Sequence, residues 1–280
     1  MASSFAVLFN LLAFIATIYF NKQASTISKL FPKKTGEISK RHTTEVSPAS
    51  STFVIWAFIY LFQAAWIIYS VSLLFRSGDE AHILPTSFYV FYSCSCLLNS
   101  TWLVLWAHEK LALSSLVLVF ITATLQACLF IAYQSLDQYL QKVPEKLQSQ
   151  TDIWCMRILV QNGIMFYAAW VTIATCINFC IYLQSCLHLR KSKAGAIALS
   201  ALLVIVALWF ALENTVFEKY TRYTFSEYIV LLVALNGILK KQWTDGHGNQ
   251  AFALVIFILA GLMFAARLMI ITMKEKYYIK

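Results

Sequence analysis

The chain has 280 residues, of which 60% are hydrophobic and only 12% charged. A soluble domain carries about 25% charged residues, so this composition excludes a water-soluble globule and makes lipid the solvent. The net charge of +9 does not define a nucleic-acid partner, because Lys and Arg sit in short loops between apolar blocks. In a membrane protein such loops mark the cytoplasmic side.

A hydrocarbon core about 30 Å thick needs about 20 helical residues, and lipid forbids unpaired backbone groups. The apolar runs predict an all-α polytopic bundle of about eight transmembrane helices: 3–20, 53–75, 86–108, 111–133, 156–186, 195–213, 223–239 and 251–273. The first and seventh are the shortest. "MASSF" lacks a basic n-region and no A-x-A pattern follows, which favours a retained first helix over a cleaved signal. Loops 21–52, 109–110, 187–194 and 240–250 form one set and carry the larger share of Lys and Arg. This bias predicts both termini on the non-cytoplasmic side of a multi-pass protein.

The second span opens "SPASSTFVIWAFIYLFQ" (47–63). Pro48 can stop one run and pre-set the first turn of the next, with Ser47 or a neighbouring Ser capping the exposed amides. At about 100° per residue, Trp56, Tyr60 and Gln63 fall on one stripe. The third span repeats the pattern with Ser95, Asn99, Trp102 and Trp106. The "NST" sequon at 99–101 lies mid-span, beyond any glycosyltransferase. His108 and Glu109 read as a turn. The polar stretch 134–155 reads as an exposed, flexible connection. On the fifth span Tyr167, Trp170, Ala174 and Asn178 share a face, while Asn162 points to a different helix contact.

Further on, Glu213 is expected to close the sixth span in water, and Tyr220, Tyr223 and Tyr228 suit an interfacial belt. Asn236 and Gly237 suggest close packing or a local irregularity. Arg267 is expected to snorkel to the interface.

An unpaired amide in hydrocarbon costs several kcal/mol, so Gln63, Asn99 and Asn178 must face the bundle interior. Two readings fit them. One is hydrogen bonding between helices, worth about 0.6–2 kcal/mol per contact. The other is a ring-walled cavity in which amides orient a ligand. The seven cysteines include no CxxC pair and read as small apolar packing residues, without disulfide or metal. No single span holds two carboxylates, and HExxH, GxSxG and Gly-rich phosphate loops are missing. The sequence therefore argues against an enzyme and against a proton-coupled carrier.

"TGEIS" (35–39), "SPASSTFVIWAFIY" (47–60), "SCLLNSTWLVLW" (95–106), "LALSSL" (111–116) and "FYAAWVTIATCINFCIYL" (166–183) together resemble the translocator protein/tryptophan-rich sensory protein family (TspO, the peripheral benzodiazepine receptor). The resemblance covers about residues 1–187; 188–280 resemble an extended branch with additional C-terminal helices. It implies a five-helix core plus three helices, and a pocket opening toward the first loop. It also implies a tetrapyrrole, sterol or synthetic aromatic ligand, with no required cofactor. Trp56, Asn99, Trp102, Tyr167, Trp170 and Asn178 match conspicuous positions of the family's motifs. Ser50 and Ser51 stand where the extended branch usually has Gly and an aromatic residue.

The expected function is binding of a hydrophobic, partly aromatic small molecule, as sensor or receptor. The candidate site is Trp56, Tyr60, Gln63, Asn99, Trp102, Trp106, Tyr167, Trp170 and Asn178. A transporter or channel is the alternative, and a purely structural subunit a third. The expected partners are the lipid bilayer and the small molecule, with no nucleic acid; a homo-oligomer is compatible with all three readings.

Overall fold

A computed structural model describes residues 4–76, 83–245 and 248–278. Its elements are α1 (Ser4–Gln23), α2 (Thr35–Arg41), α3 (Ile55–Leu73), α4 (Thr86–Ala107), α5 (Leu111–Lys142), α6 (Gln150–Trp154), α7 (Asn162–Ser185), α8 (Lys191–Asn214), α9 (Glu218–Thr221), α10 (Ser226–Asp245) and α11 (Gln250–Tyr278). A 3-10 turn, Ser50–Val54, leads into α3, and a π-helical stretch, Cys155–Gln161, joins α6 to α7. Each of the eight predicted spans falls on a long helix. Among the described residues, seven helical stretches are long and apolar enough to cross a bilayer. The eighth, α10, carries Glu227, Lys240 and Lys241.

Helix α7 is the hub. It packs against α3, α5, α8 and α10, while α4 bridges α1 to α5 and α11 lies on α10. Of the apolar stretch leading through α7, 67% is buried; the other spanning helices reach 17–44%. Their outward faces stay apolar, as at Leu61, Ile68, Val204, Leu208, Leu262 and Met269. Lipid would cover such a surface without leaving a backbone group unpaired.

The two sets of loops gather at opposite ends. At one end Lys33 and Arg41 bind Glu109, Ser185 meets His42 at 3.3 Å, and Asn249 donates to the Ser192 carbonyl at 2.7 Å. At the other, Arg76 pairs with Asp152 at 2.7 Å and Lys219 with Asp137 at 3.2 Å. The α4–α5 turn is a Schellman motif. Lys110 N–H reaches the Leu105 carbonyl and Glu109 N–H the Trp106 carbonyl, both at 2.9 Å, with Glu109 left-handed at φ 54°. The hydrogen bond from Lys33, with the nearby Arg41 charge, holds the Glu109 carboxyl below the usual carboxylate range.

Four expectations are corrected. The stretch 134–155 is mostly helix, since α5 runs on to Lys142. Leu136 and Tyr139 continue its buried face, and Gln141 donates back to Asp137 at 2.8 Å, so the helix persists until Pro144 approaches. Ser47 does not cap α3; its hydroxyl accepts the Thr44 N–H at 2.9 Å, behind Pro48. Arg267 does not snorkel and Glu213 is not wet, for both are fully buried. Arg267 donates to Asn214 Oδ1 at 3.0 Å and to Thr221, and lies 4.0 Å from Glu213. The sequence hid this pairing because its members sit on α8, α9 and α11.

Other expectations hold. Asn162 serves a different contact: its Nδ2 donates to the Tyr223 carbonyl at 2.7 Å. Its Oδ1 accepts the Phe225 and Ser226 amides at 3.1 and 3.2 Å, capping α10 from outside. Gly237 marks close packing, since a Cβ there would meet Thr52 Oγ1 at 2.0 Å. The seven cysteines are free.

Candidate functional site

The 3-10 turn delivers Phe53 and then Trp56 to the face of α7. Trp56 stacks on Tyr60 at 5.6 Å and meets Tyr167 and Trp170 edge-on at 6.0 and 6.1 Å; Phe53 meets Trp170 at 5.9 Å. These separations are those of favourable aromatic pairs. On α4, Trp102 and Trp106 stack at 5.7 Å with only 18° between their planes. The Trp106 indole donates to the Thr35 carbonyl at 3.4 Å, tying α4 to α2.

These elements enclose a cavity of about 440 Å³, within the range of small-molecule sites. Trp56, Trp102, Trp106, Trp170 and Asn178 line it, together with Phe53, Pro48 and the residues of the first loop. Two polar atoms at its wall are buried without a partner: the Trp102 indole N–H and the Asn178 side-chain oxygen. Asn178 is 6% exposed, and its Nδ2 is used on the Ala174 carbonyl at 3.0 Å. The residues lining the cavity thus include one buried donor and one buried acceptor that no protein group pairs. A buried group in that state costs about 1–3 kcal/mol until a partner arrives.

The remaining predicted residues stand behind the cavity rather than in its wall. Tyr60 and Tyr167 support Trp56 from below. Gln63 donates to the Gly163 carbonyl at 2.8 Å and accepts from the Trp66 indole at 2.8 Å, which consumes both ends of its amide. Asn99 accepts from Asn21 at 3.1 Å, joining α4 to α1. One stripe therefore divides into residues that face the hollow and residues that fasten helices together. Helical spacing does not separate the two roles.

Other wall residues carried no signal in the stripes. Lys40 from α2 and Lys241 from α10 add ammonium groups, and Asn21 adds an amide. Lys241 arrives because α10 docks on the turn before α3: Ala49 N–H donates to the Gly237 carbonyl at 2.9 Å. The small residue at 237 was the visible trace of that contact.

A bundle of membrane-length helices around an aromatic cavity roofed by its first loop defines a polytopic membrane protein with an internal hollow. A family model described as TSPO-like protein matches residues 7–271, and the chain belongs to that TSPO-like family. The matched stretch takes in α8 and α10 as well as the first five spans. No curated protein and no solved structure matches the chain.

Proposed function

We propose that this protein binds a hydrophobic, partly aromatic small molecule in the Trp-lined cavity between α4, α7 and the first loop, as a sensor or receptor. The carrying observation is the convergence of four indoles from three helices on one hollow that also holds an unpartnered donor and acceptor. Stacking and buried area would supply affinity; Trp102 Nε1 and Asn178 Oδ1 would fix orientation. Lys40 and Lys241 favour a ligand with an acidic edge, as a tetrapyrrole has, over an uncharged sterol. On the positive-inside rule the cavity faces the cytoplasmic side, since its roof is the basic first loop.

The test is tryptophan fluorescence of the full chain in detergent, titrated with protoporphyrin IX and, separately, with cholesterol. Saturable quenching by protoporphyrin that weakens in Trp102→Ala and Trp170→Ala supports the site. Unchanged affinity in both variants overturns it. Flux of the bound molecule across reconstituted vesicles would convert the reading from receptor to transporter.

A further inference from the structure

At the end of the bundle away from the Trp102 cavity, the one-turn helix α9 packs against both α5 and α8. Its Thr221 is fully buried, and the hydroxyl donates to the Glu213 and Phe217 carbonyls at 3.1 Å. Next to it the Glu227 carboxyl pairs with that of Glu213, and Arg267 donates to Thr221 and to Asn214. These bonds fix α9, and so bring Lys219 and Arg222 to the same wall as Arg157 of the π-helical stretch.

The three cations line a hollow of about 250 Å³ together with Asp137 and Gln161. Lys219 pairs with Asp137 at 3.2 Å and Arg222 with Glu218 at 2.9 Å, so cations outnumber carboxylates around this mouth. The Arg157 guanidinium lies over two rings, 4.0 Å from Tyr223 and 5.1 Å from Trp154. Trp154 is 44% exposed, as suits an aromatic at a membrane–water boundary. A second hollow, of about 380 Å³, adjoins the first through Tyr133 and Tyr220, which wall both. Its walls are mostly apolar, among them Phe217, Trp209 and Phe130, the last exposed at the bundle surface. Leu140 of the first hollow and Gln126 of the second lie about 20 Å apart along α5 at the helical rise. One leaflet of hydrocarbon is about 15 Å thick.

We propose that the two hollows form a binding site for one anionic phospholipid. Its phosphate would sit among Lys219, Arg222 and Arg157, and one acyl chain would run past Phe130 and Trp209. The surplus of positive charge complements a phosphodiester, and charge-assisted hydrogen bonds from Lys and Arg are the strong ones to phosphate oxygens. In a bilayer an acyl chain gains little by exchanging lipid neighbours for protein, so selectivity rests on the headgroup. The continuity of a basic mouth with an apolar groove favours a lipid over a free phosphate, which would use the first hollow alone. The site shares no wall residue with the Trp102 cavity, and it stands whether or not the proposed function does.

Native mass spectrometry of the full-length protein in detergent tests this, with dioleoylphosphatidylglycerol as probe. Dioleoylglycerol is the counterpart that lacks phosphate, and glycerol 3-phosphate the counterpart that lacks chains. The expected result is saturable retention of phosphatidylglycerol, with dioleoylglycerol far weaker and glycerol 3-phosphate not retained at the same concentration. Lys219→Gln should weaken phosphatidylglycerol binding by about fivefold, the scale of one basic residue against an anionic lipid, and Arg222→Gln added to it by about twentyfold in all. The Lys219 side chain is 54% exposed, so the single variant carries the test if the double one does not fold. Phe130→Trp changes no charge and narrows the groove; it should weaken the lipid by about fivefold or more, the smaller end of an overpacking penalty. Glycerol 3-phosphate retained as well as the lipid would overturn the lipid assignment in favour of a free phosphate. Equal retention of dioleoylglycerol, undiminished affinity in Lys219→Gln, or no retention of phosphatidylglycerol would overturn the site altogether.

Discussion

Gly237 of α10 and Thr52 of the turn before α3 lie so close that a Cβ on the glycine would stand 2.0 Å from Thr52 Oγ1 and 2.9 Å from its Cβ. The contact presses a helix from the C-terminal third of the chain onto the entrance of the aromatic cavity. It is the reason Lys241 reaches that wall.

Gly237→Ala should therefore act at a distance. Alanine gains about 1 kcal/mol of helix propensity, but forcing backbone elements apart costs about 1–3 kcal/mol or more. The clash wins because the obstacle is a side chain anchored one atom from the backbone. A melting temperature several degrees lower, together with weaker protoporphyrin quenching, is expected. Thr52→Ala in the same background should restore part of both.

Gln63 and Asn178 separate fastening from binding. Gln63→Leu removes the acceptor of the buried Trp66 indole and should cost about 1–3 kcal/mol of stability, read by thermal melting, with ligand affinity nearly unchanged in the folded fraction. Asn178→Ala deletes a carbonyl that has no partner, so the melting temperature should hold. Loss of its orienting hydrogen bond should weaken ligand binding by about five- to tenfold, or about 1–1.4 kcal/mol. If both variants changed melting alone, the cavity would be packing and nothing more.

Glu109 predicts a pH dependence at the loop end. Its folded pKa is depressed by the Lys33 hydrogen bond, so the unfolded chain binds protons more readily than the folded one. The stabilisation is complete above the unfolded value of about 4.3 and is lost as pH falls through the lower folded value. Protease protection of the 21–46 loop should drop across that acid window. Glu109→Gln should show weaker protection at neutral pH and no step on acidification.

Arg267→Leu tests the buried charge cluster. Removing the guanidinium leaves Glu213 and Glu227 facing one another with no cation, a loss of about 3–5 kcal/mol when one member of a buried pair is deleted. Thermal melting should fall steeply, and Arg267→Leu with Glu213→Gln should recover much of the loss. Additive effects in that double variant would mean that the two residues do not interact.

The sequence alone determined that the long apolar runs are helices, because lipid leaves an apolar run no alternative to intrahelical hydrogen bonding; it did not foresee the short helices α2, α6 and α9. It also determined that Trp56, Trp102, Trp170 and Asn178 point inward, since helical periodicity fixes a face and an amide cannot face lipid. Tertiary structure alone decided which residues of each stripe meet the hollow. Gln63 and Asn99 share faces with Trp56 and Trp102, but their partners, Gly163 and Asn21, lie on other helices. Glu213 and Arg267, 54 positions apart, look like ordinary end-of-helix charges until α8 and α11 are placed side by side. Periodicity is a property of one helix; burial of a charge and closure of a cavity depend on which helices become neighbours.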